Sequence, residues 1–190
     1  MTTPGLLGSV VDALDKAQIP YMLTGSLAAA WYGAGRATLD IDLVVELPAD
    51  RVSALVAAVA GPDRYVSPEA AREAVEHESM FNVVDTTTGW KADLIVRKSR
   101  PFSRTEFARR RPVDLEGTRL WMATAEDLVI AKLEWAKLGG SMRQIEDVAA
   151  LLRVTADTLD RHYLAKWVGE LELAAEWQAA VQAADRGVNH

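Results

Sequence analysis

The sequence predicts an α+β protein, in which a small mixed β-sheet is flanked by helices and followed by a C-terminal helical bundle. Strand-like patterns lie in the first two thirds of the 190 residues. The last third has only helical periodicity, and this segregation of strands from helices is typical of α+β proteins. Apolar residues make up 49% of the chain, which is enough to bury a sizeable core.

The individual elements follow from periodicity and from turn and capping residues. Strands are predicted over residues 21–23, 40–45, 80–85, 90–96 and 120–123. Helices are predicted over residues 6–17, 48–61, 103–110, 125–138, 142–152, 156–168 and 170–184, with two short ones after residues 25 and 67. Thr124 is the expected cap of the longest helix, and Ser103 with Glu106 is the expected capping box of a shorter one. We therefore predict a core domain over residues 1–118 and a helical region, packed on it, over residues 119–190.

Composition limits the classes of function. The chain has no cysteine, which excludes disulfides, thiolate nucleophiles and cysteine-ligated zinc. No apolar run reaches the 18 or more residues of a membrane span, and the first residues do not resemble a signal peptide, so we expect a soluble cytoplasmic protein without a membrane partner. The net charge of −6 argues against attraction of nucleic acid over the whole surface.

Two carboxylates stand out in the second predicted strand. Asp40 and Asp42 are two residues apart, so both project from one face while Ile41 and Leu43 project from the other. Two carboxylates about 4 Å apart repel each other by roughly 4 kcal/mol at an effective dielectric constant near 20. A divalent cation would convert this repulsion into attraction, and Mg2+ prefers a few carboxylates together with phosphate oxygens. The alternative is a solvated strand end.

The turn at Gly25-Ser26 precedes this pair by one short helix. Backbone N–H groups at the start of a helix form a cradle for phosphate, although Ser26 could equally be a helix cap. Arg36, in a glycine-rich loop, could contact a triphosphate or could be a surface arginine. A metal site and a phosphate site joined by one helix indicate chemistry on a nucleoside triphosphate.

The order Gly-Ser, short helix, Asp40-Ile41-Asp42 resembles the signature of the DNA polymerase β-like nucleotidyltransferase superfamily. The flanking Arg36-Ala37-Thr38 is similar to one branch of it, the AbiE-type (abortive infection) and mycobacterial toxin nucleotidyltransferases. The resemblance covers about residues 20–45 and 124–152. It implies a minimal nucleotidyltransferase core with a helical C-terminal region, Mg2+ or Mn2+ as the cofactor and an NTP as co-substrate.

A third carboxylate is expected to complete the metal site. Asp93 is an acid in an otherwise apolar strand, where it is costly unless it is paired or binds metal. In similar enzymes an aspartate on a neighbouring strand completes the site and can deprotonate the attacking hydroxyl. We therefore predict Asp40, Asp42 and Asp93 as catalytic and metal-binding residues. Asp85 is the competitor of Asp93, but its position beside a turn favours a structural role.

The resemblance also implies nucleotide-binding residues in the C-terminal region. Lys132 resembles the lysine of the AbiE-type family that contacts nucleotide phosphates, and Arg143 and Asp147 match that family's Arg-Asp-x-x-Asp helix. Gln144 departs from the helix motif at its first aspartate, so the role of that position is not carried over. The predicted nucleotide-binding residues are Gly25, Ser26, Arg36, Lys132 and Asp147. The alternative for the last two is a surface ion pair, worth less than about 1 kcal/mol.

A basic segment runs from Arg97 to Arg111 in this otherwise acidic chain. We predict that it binds the backbone of a nucleic acid beside the carboxylates, through Arg97, Arg100, Arg104, Arg109 and Arg110. A solvated surface, or a surface that docks an acidic partner protein, is the alternative.

The function expected from the sequence is Mg-dependent transfer of an NMP from an NTP to an acceptor hydroxyl. The family resemblance implies RNA, for instance a tRNA 3′ end, as the acceptor, and a toxin with a cognate antitoxin as the context. A small molecule such as an antibiotic, or a protein side chain, is the alternative acceptor. A non-catalytic nucleotide-binding module of the same fold is the alternative outside the enzymes.

Overall fold

A computed structural model describes residues 5–186, in which nine α-helices and seven β-strands are present. The helices are α1 Gly5–Lys16, α2 Gly25–Trp31, α3 Val52–Val59, α4 Pro68–Glu76, α5 Pro101–Ala108, α6 Ala125–Gly139, α7 Met142–Thr155, α8 Arg161–Glu170 and α9 Ala174–Arg186. The strands are β1 Tyr21–Thr24, β2 Asp40–Val45, β3 Arg64–Val66, β4 Met80–Asp85, β5 Lys91–Val96, β6 Arg111–Leu115 and β7 Thr118–Met122. A 3₁₀ turn over Ala49–Arg51 leads into α3. Every described helix is too short or too polar to cross a lipid bilayer.

The seven strands of the described range form one mixed sheet in the order β3-β4-β5-β2-β1-β7-β6. The pairs β2–β5 and β1–β7 are parallel, and the other neighbours are antiparallel. This sheet, together with the helices, confirms the predicted fold class. Its centre is formed by β5, β2 and β1, the strands that carry or directly precede the polar residues singled out in the sequence.

Contacts divide the chain into two compact units. The first contains the residues up to Leu27 together with Ala37–Ala123, and the second contains Ala28–Arg36 together with the residues from Thr124 on. The domain boundary after residue 118 stays a prediction, whereas the division by contacts falls between residues 123 and 124. All seven strands belong to the first unit.

The first unit has its core between the sheet and its helices. Alternation in β2 is as expected, because Ile41 and Leu43 are fully buried while Asp40 is exposed. Helix α1 buries one face, on which leucine and valine recur at helical spacing. Helix α4 begins after residue 67 as predicted, and Ser67 caps it by accepting a hydrogen bond from the Ala70 N–H at 3.1 Å.

The second unit is a bundle of helices. Thr124 begins α6 as predicted, since its hydroxyl oxygen accepts from the Asp127 N–H at 3.3 Å, and Gly140 ends it in the left-handed conformation. Asp160 caps α8 by accepting from two backbone N–H groups, which places the start of this helix later than residue 156, where it was predicted. The helices α7 and α9 also extend beyond their predicted ends.

Three local predictions were wrong. Strands β3 and β6 were not predicted, because both are short and mostly lack buried apolar residues. The capping box of Ser103 and Glu106 does not form, because α5 begins at Pro101 and both side chains are buried inside the helix. The helical spacing of Leu128, Ala131 and Trp135 predicts that all three face the core. Leu128 is buried as this spacing predicts, but Trp135 is exposed, so the prediction is wrong for that residue.

Candidate active site

A row of polar residues crosses four neighbouring strands of the sheet. Thr24 in β1 lies opposite Asp42 in β2, Asp42 lies beside Asp93 in β5, and Asp93 lies opposite Asn82 in β4. Directly paired residues project from the same face of a sheet, at an interstrand spacing of about 5 Å. The structure therefore brings Asp42 and Asp93, which are 51 positions apart in sequence, into adjacent places.

The Gly25-Ser26 turn lies against this row. Gly25 has a φ of +67°, and a Cβ atom at this position would overlap the carboxylate oxygen Oδ2 of Asp42. Both the backbone conformation and the close approach require glycine here. Ser26 is buried at the start of α2. The predicted phosphate turn and the predicted carboxylates are thus neighbours in space, as their order in the sequence suggested.

Asp93 is the most buried of the three predicted aspartates, with 8% of its side chain exposed. Its Oδ2 lies 3.0 Å from the Nζ atom of Lys91, and its Oδ1 accepts a hydrogen bond of 3.4 Å from the Asn82 amide. A buried carboxylate needs such partners, because an unpaired charge away from water is costly. Asp93 is therefore held by two side chains that point to it from both sides of the carboxyl group.

Lys91 is a site residue that the sequence analysis missed. It pairs with Asp40 in the parallel register of β2 and β5, and its Nζ lies 3.4 Å from Asp40 Oδ1 as well as 3.0 Å from Asp93 Oδ2. The hydrogen bond to Asp93, together with the charges of Asp93 and Asp40, raises the pKa of Lys91 although partial burial opposes this. The sequence contains one hint of this role. Lys91 lies two residues before Asp93, just as Asp40 lies two residues before Asp42, so each pair shares one face of its strand.

The three aspartates do not form a ready-made metal cage. Among residues 5–186, no three acidic, histidine or cysteine side chains are arranged to hold a metal ion. The carboxylates of Asp40 and Asp93 converge instead on the ammonium group of Lys91. Carboxylate oxygens are nevertheless the donors that Mg2+ prefers, and this position already accommodates a positive charge. The chemistry of these donors therefore suits a divalent cation, whereas their arrangement in this structure holds the ammonium group of Lys91.

A second polar cluster lies in the other unit and unites three predicted nucleotide-binding residues. The Asp147 Oδ2 atom accepts hydrogen bonds from Lys132 Nζ at 2.7 Å and from Arg36 Nε at 3.3 Å. Lys132 Nζ also donates to Gln144 Oε1 at 3.3 Å. The side chain of Lys132 is only 6% exposed, so the alternative of a surface ion pair is wrong. The Asp147 carboxylate thus contacts two cationic side chains at once.

Helix α6, which carries Lys132, is fixed by a buried carboxylate at its first turn. Asp127 is fully buried, and it accepts hydrogen bonds from the Thr124 hydroxyl at 2.7 Å and from the Tyr163 hydroxyl at 2.5 Å. Glu126 accepts from the Asp160 N–H at 3.0 Å. These contacts tie α6 to the start of α8, and we infer that they give Lys132 a rigid support.

The basic segment starts just beyond the end of β5. Arg97 follows the last residue of this strand and lies four residues after Asp93, a distance of about 13 Å along an extended chain. The Arg97 guanidinium forms an ion pair of 2.7 Å with Glu46. Its role in binding nucleic acid beside the carboxylates stays a prediction.

Other arginines of the basic segment also have partners within the protein. Arg110 lies over the rings of Phe107 and Trp121, at 4.3 and 5.1 Å from their centroids, and burial lowers its pKa. Arg100 donates to the Ser103 hydroxyl at 3.1 Å. Arg109 is partly buried, whereas Arg104 is exposed on α5. Of the five predicted nucleic-acid-binding arginines, Arg104 thus has the most open position.

Asp85 has the structural role that its sequence position favours. Its Oδ1 accepts hydrogen bonds from the Thr87 N–H, the Thr87 hydroxyl and the Thr88 N–H at 2.7–3.0 Å. These hydrogen bonds lower the pKa of Asp85 to about 2. It shapes the turn between β4 and β5 and does not belong to the polar row.

No protein-family model matches the sequence, and no curated protein matches it. Solved structures match over almost the whole chain. A solution structure of the antibiotic-resistance factor ANT(2'')-Ia is similar with a TM-score of 0.56 and 15% identity, over 97% of this chain and 96% of that one. A crystal structure of ANT(2")-Ia in complex with adenylyl-2"-tobramycin is similar with a TM-score of 0.55 and 16% identity, over 91% of this chain and 95% of that one. A crystal structure of an antigenic nucleotidyltransferase-like protein from Paracoccidioides brasiliensis is similar with a TM-score of 0.57 and 17% identity, over 94% of this chain and 92% of that one.

The chain has a nucleotidyltransferase fold. The likeness covers 91–97% of the chain, so it includes most of the helical C-terminal region as well as the sheet. At 15–17% identity the likeness is one of fold. The chemistry of this nucleotidyltransferase-fold protein has to be argued from its own residues, above all from the polar row and the Gly25-Ser26 turn.

Proposed function

We propose that this protein transfers a nucleotide from an NTP to an acceptor hydroxyl and releases pyrophosphate. The observation that carries the proposal is the close approach of the Asp42 carboxylate to the Gly25-Ser26 turn, with Asp93 beside Asp42 on the next strand. Such an arrangement offers backbone donors for phosphate and carboxylates for a metal ion within one small area. The nucleotidyltransferase fold of the solved neighbours supports the same chemistry.

Each predicted residue has a role in this proposal. Asp40, Asp42 and Asp93 would hold Mg2+ or Mn2+, which would neutralise triphosphate charge when bound. The Gly25-Ser26 turn would orient the phosphates through its backbone N–H groups. Arg36 and Lys132, which are held by Asp147, would supply positive charge for the nucleotide.

Asp93 is the residue that we assign to the acceptor. It accepts hydrogen bonds from Lys91 and Asn82, and a carboxylate can accept a proton from an attacking hydroxyl. Its side chain is almost completely buried, so these partners hold it in a fixed orientation. Asp93 would therefore orient and deprotonate the acceptor hydroxyl, while Asp40 and Asp42 act mainly on the nucleotide.

RNA, for instance a tRNA 3′ end, is the first candidate acceptor, and a toxin role with a cognate antitoxin is the context we propose. The support is the basic segment, of which Lys98, Arg104 and Arg111 are exposed. The ion pair of Arg97 and the ring contacts of Arg110 reduce this support, because those side chains already serve the protein itself.

A small-molecule acceptor is the second candidate. The observation that favours it is the likeness to ANT(2")-Ia, whose crystal structure contains adenylyl-2"-tobramycin. The net charge of −6 would also attract a polycationic antibiotic more readily than RNA. A module that binds NTP without turnover remains the alternative outside the enzymes.

One assay distinguishes these proposals. The full chain is incubated with each α-phosphate-labelled NTP and Mg2+, with either total RNA or an aminoglycoside panel as the acceptor. Label on RNA supports the first candidate, and label on an aminoglycoside supports the second. Binding of an NTP without any labelled product, over both acceptor classes, would refute the enzymatic proposal and favour the non-catalytic module.

A further inference from the structure

The feature that the proposed function leaves unexplained is a lysine in the middle of its acidic site. Lys91 Nζ lies 3.0 Å from Asp93 Oδ2 and 3.4 Å from Asp40 Oδ1, so one ammonium group bridges two of the three proposed metal ligands. The bridge follows from the backbone, since the parallel register of β2 and β5 sets Lys91 beside Asp40 and Asp93 beside Asp42. The position of this cation is therefore built into the sheet.

Asp93 needs a cation nearby. With 8% of its side chain exposed, its carboxylate would be poorly solvated if it had no positively charged partner. Lys91 is different, because 35% of its side chain is exposed and its long stem allows the ammonium group to turn to water. The carboxylate is fixed and the ammonium group can leave.

The ammonium group and a divalent cation would need the same oxygens, Oδ2 of Asp93 and Oδ1 of Asp40. A divalent cation can therefore bind both carboxylates only after the ammonium group has been displaced from them.

We propose that Lys91 is a resident counter-cation, which holds Asp40 and Asp93 in place and competes with the divalent cation for their oxygens. This inference rests on the proposed metal role of these aspartates and adds a residue to it. A metal ion alone then binds weakly, since it gains two carboxylates but breaks an existing ion pair. A metal ion that arrives with a nucleotide binds more tightly, because the displaced ammonium group can pair with the triphosphate.

The test is the affinity of the full chain for Mn2+ alone, measured by electron paramagnetic resonance of the free ion. Lys91→Gln removes the competitor, and Lys16→Gln, at an exposed position on α1, makes the same change of charge away from the site. We expect Lys91→Gln to bind Mn2+ about tenfold more tightly than Lys16→Gln. A cation next to a carboxylate changes the proton affinity of that carboxylate by roughly tenfold or more, and we take the lower end of this range for Mn2+. Without metal, Lys91→Gln should melt at a lower temperature than Lys16→Gln, and Mn2+ should remove the difference.

Lys91→Arg gives a second test that does not depend on the folding of Lys91→Gln. The forked guanidinium can engage both carboxylates, so this variant should bind Mn2+ more weakly than the parent protein. Equal Mn2+ affinity in the parent, Lys91→Gln and Lys91→Arg would overturn the role of Lys91 and leave the metal site intact. Absence of Mn2+ binding in all of them, at millimolar concentrations, would overturn the metal role of the aspartates in the proposed function, and the counter-cation with it.

Discussion

Replacing Gly25 by alanine tests the closest approach in the candidate site. Gly25 has a φ of +67°, a conformation that costs a non-glycine residue about 1–2 kcal/mol. The added methyl group would also overlap the Asp42 carboxylate, and forced repacking of this kind typically costs about 1–3 kcal/mol more. We therefore expect Gly25→Ala to lower the free energy of unfolding by about 2–5 kcal/mol, measured by urea denaturation.

Gly89→Ala is the matched control for this prediction. Gly89 has a similar φ of +75°, but an added Cβ atom would meet nothing within 4 Å. This variant should show the conformational cost alone, so the excess cost of Gly25→Ala over Gly89→Ala measures the overlap with Asp42. In an Asp42→Ala background most of the excess should disappear, although the contact with the Cβ atom of residue 42, at 2.9 Å, remains. If Gly25→Ala costs no more than Gly89→Ala, the Asp42 carboxylate does not lie against the Gly-Ser turn and our account of the site is wrong.

Three further predictions concern the stability of the protein and its basic segment. Lys132→Met should lower the free energy of unfolding by about 3 kcal/mol in urea denaturation, because it leaves the Asp147 carboxylate without its closest partner. The double variant Lys132→Met/Asp147→Leu should recover part of this loss, and an equal loss in the single and the double variant would contradict the prediction. Tyr21 is buried, and burial raises its pKa to about 12. Because the unfolded chain ionises this tyrosine near pH 10, the free energy of unfolding should not depend on Tyr21 below pH 10 and should fall as the pH rises from 10 to 12. Tyr21→Phe should lose less over that range in thermal melts, and an identical pH profile would exclude the effect. Arg104→Glu should weaken RNA binding and its salt dependence without a change in melting temperature, whereas Arg110→Ala should lower the melting temperature; the reverse pattern would contradict the structural role of Arg110.

Local sequence patterns were sufficient to predict the strands β2, β4 and β5. Strands β2 and β4 have the predicted bounds, and β5 starts one residue late, because alternating apolar residues mark all three. The edge strand β6 was missed because its exposed arginine and proline give no such pattern, and it forms by pairing with β7. The extended conformation of β6 is thus determined by its pairing with β7 and not by its own sequence.

The candidate site was predictable where it depends on a single strand or turn. Asp40, Asp42 and Gly25 follow from a local motif, and Asp93 follows from its unusual position in an apolar strand. Lys91 was not predictable, because its contacts depend on the register between β2 and β5, which no local pattern determines. The ion pair of Arg97 with Glu46 was not predictable for a similar reason, since it joins residues that follow two different strands.

The sequence also did not reveal which charged side chains are buried. Lys132 and Asp147 were recognised by resemblance, but their helical positions did not distinguish a surface ion pair from a buried one. The structure decides the question, because Lys132 is only 6% exposed and α6 is buried on almost every side of its first turns. Burial depends on what packs around a helix, and the periodicity of one helix does not contain that information.

The central claim, that Asp42 and Asp93 form a catalytic centre, is tested most directly by single-turnover transfer from an α-labelled NTP to whichever acceptor becomes labelled in the assay proposed above. Asp93→Asn should lower the transfer rate by about 100-fold or more while calorimetric affinity for Mg-NTP falls only modestly, and Asp42→Asn should lower both. Asp85→Asn is the control, because Asp85 serves only the turn between β4 and β5 and its variant should transfer at the parent rate. Transfer at the parent rate in both Asp42→Asn and Asp93→Asn would contradict the account.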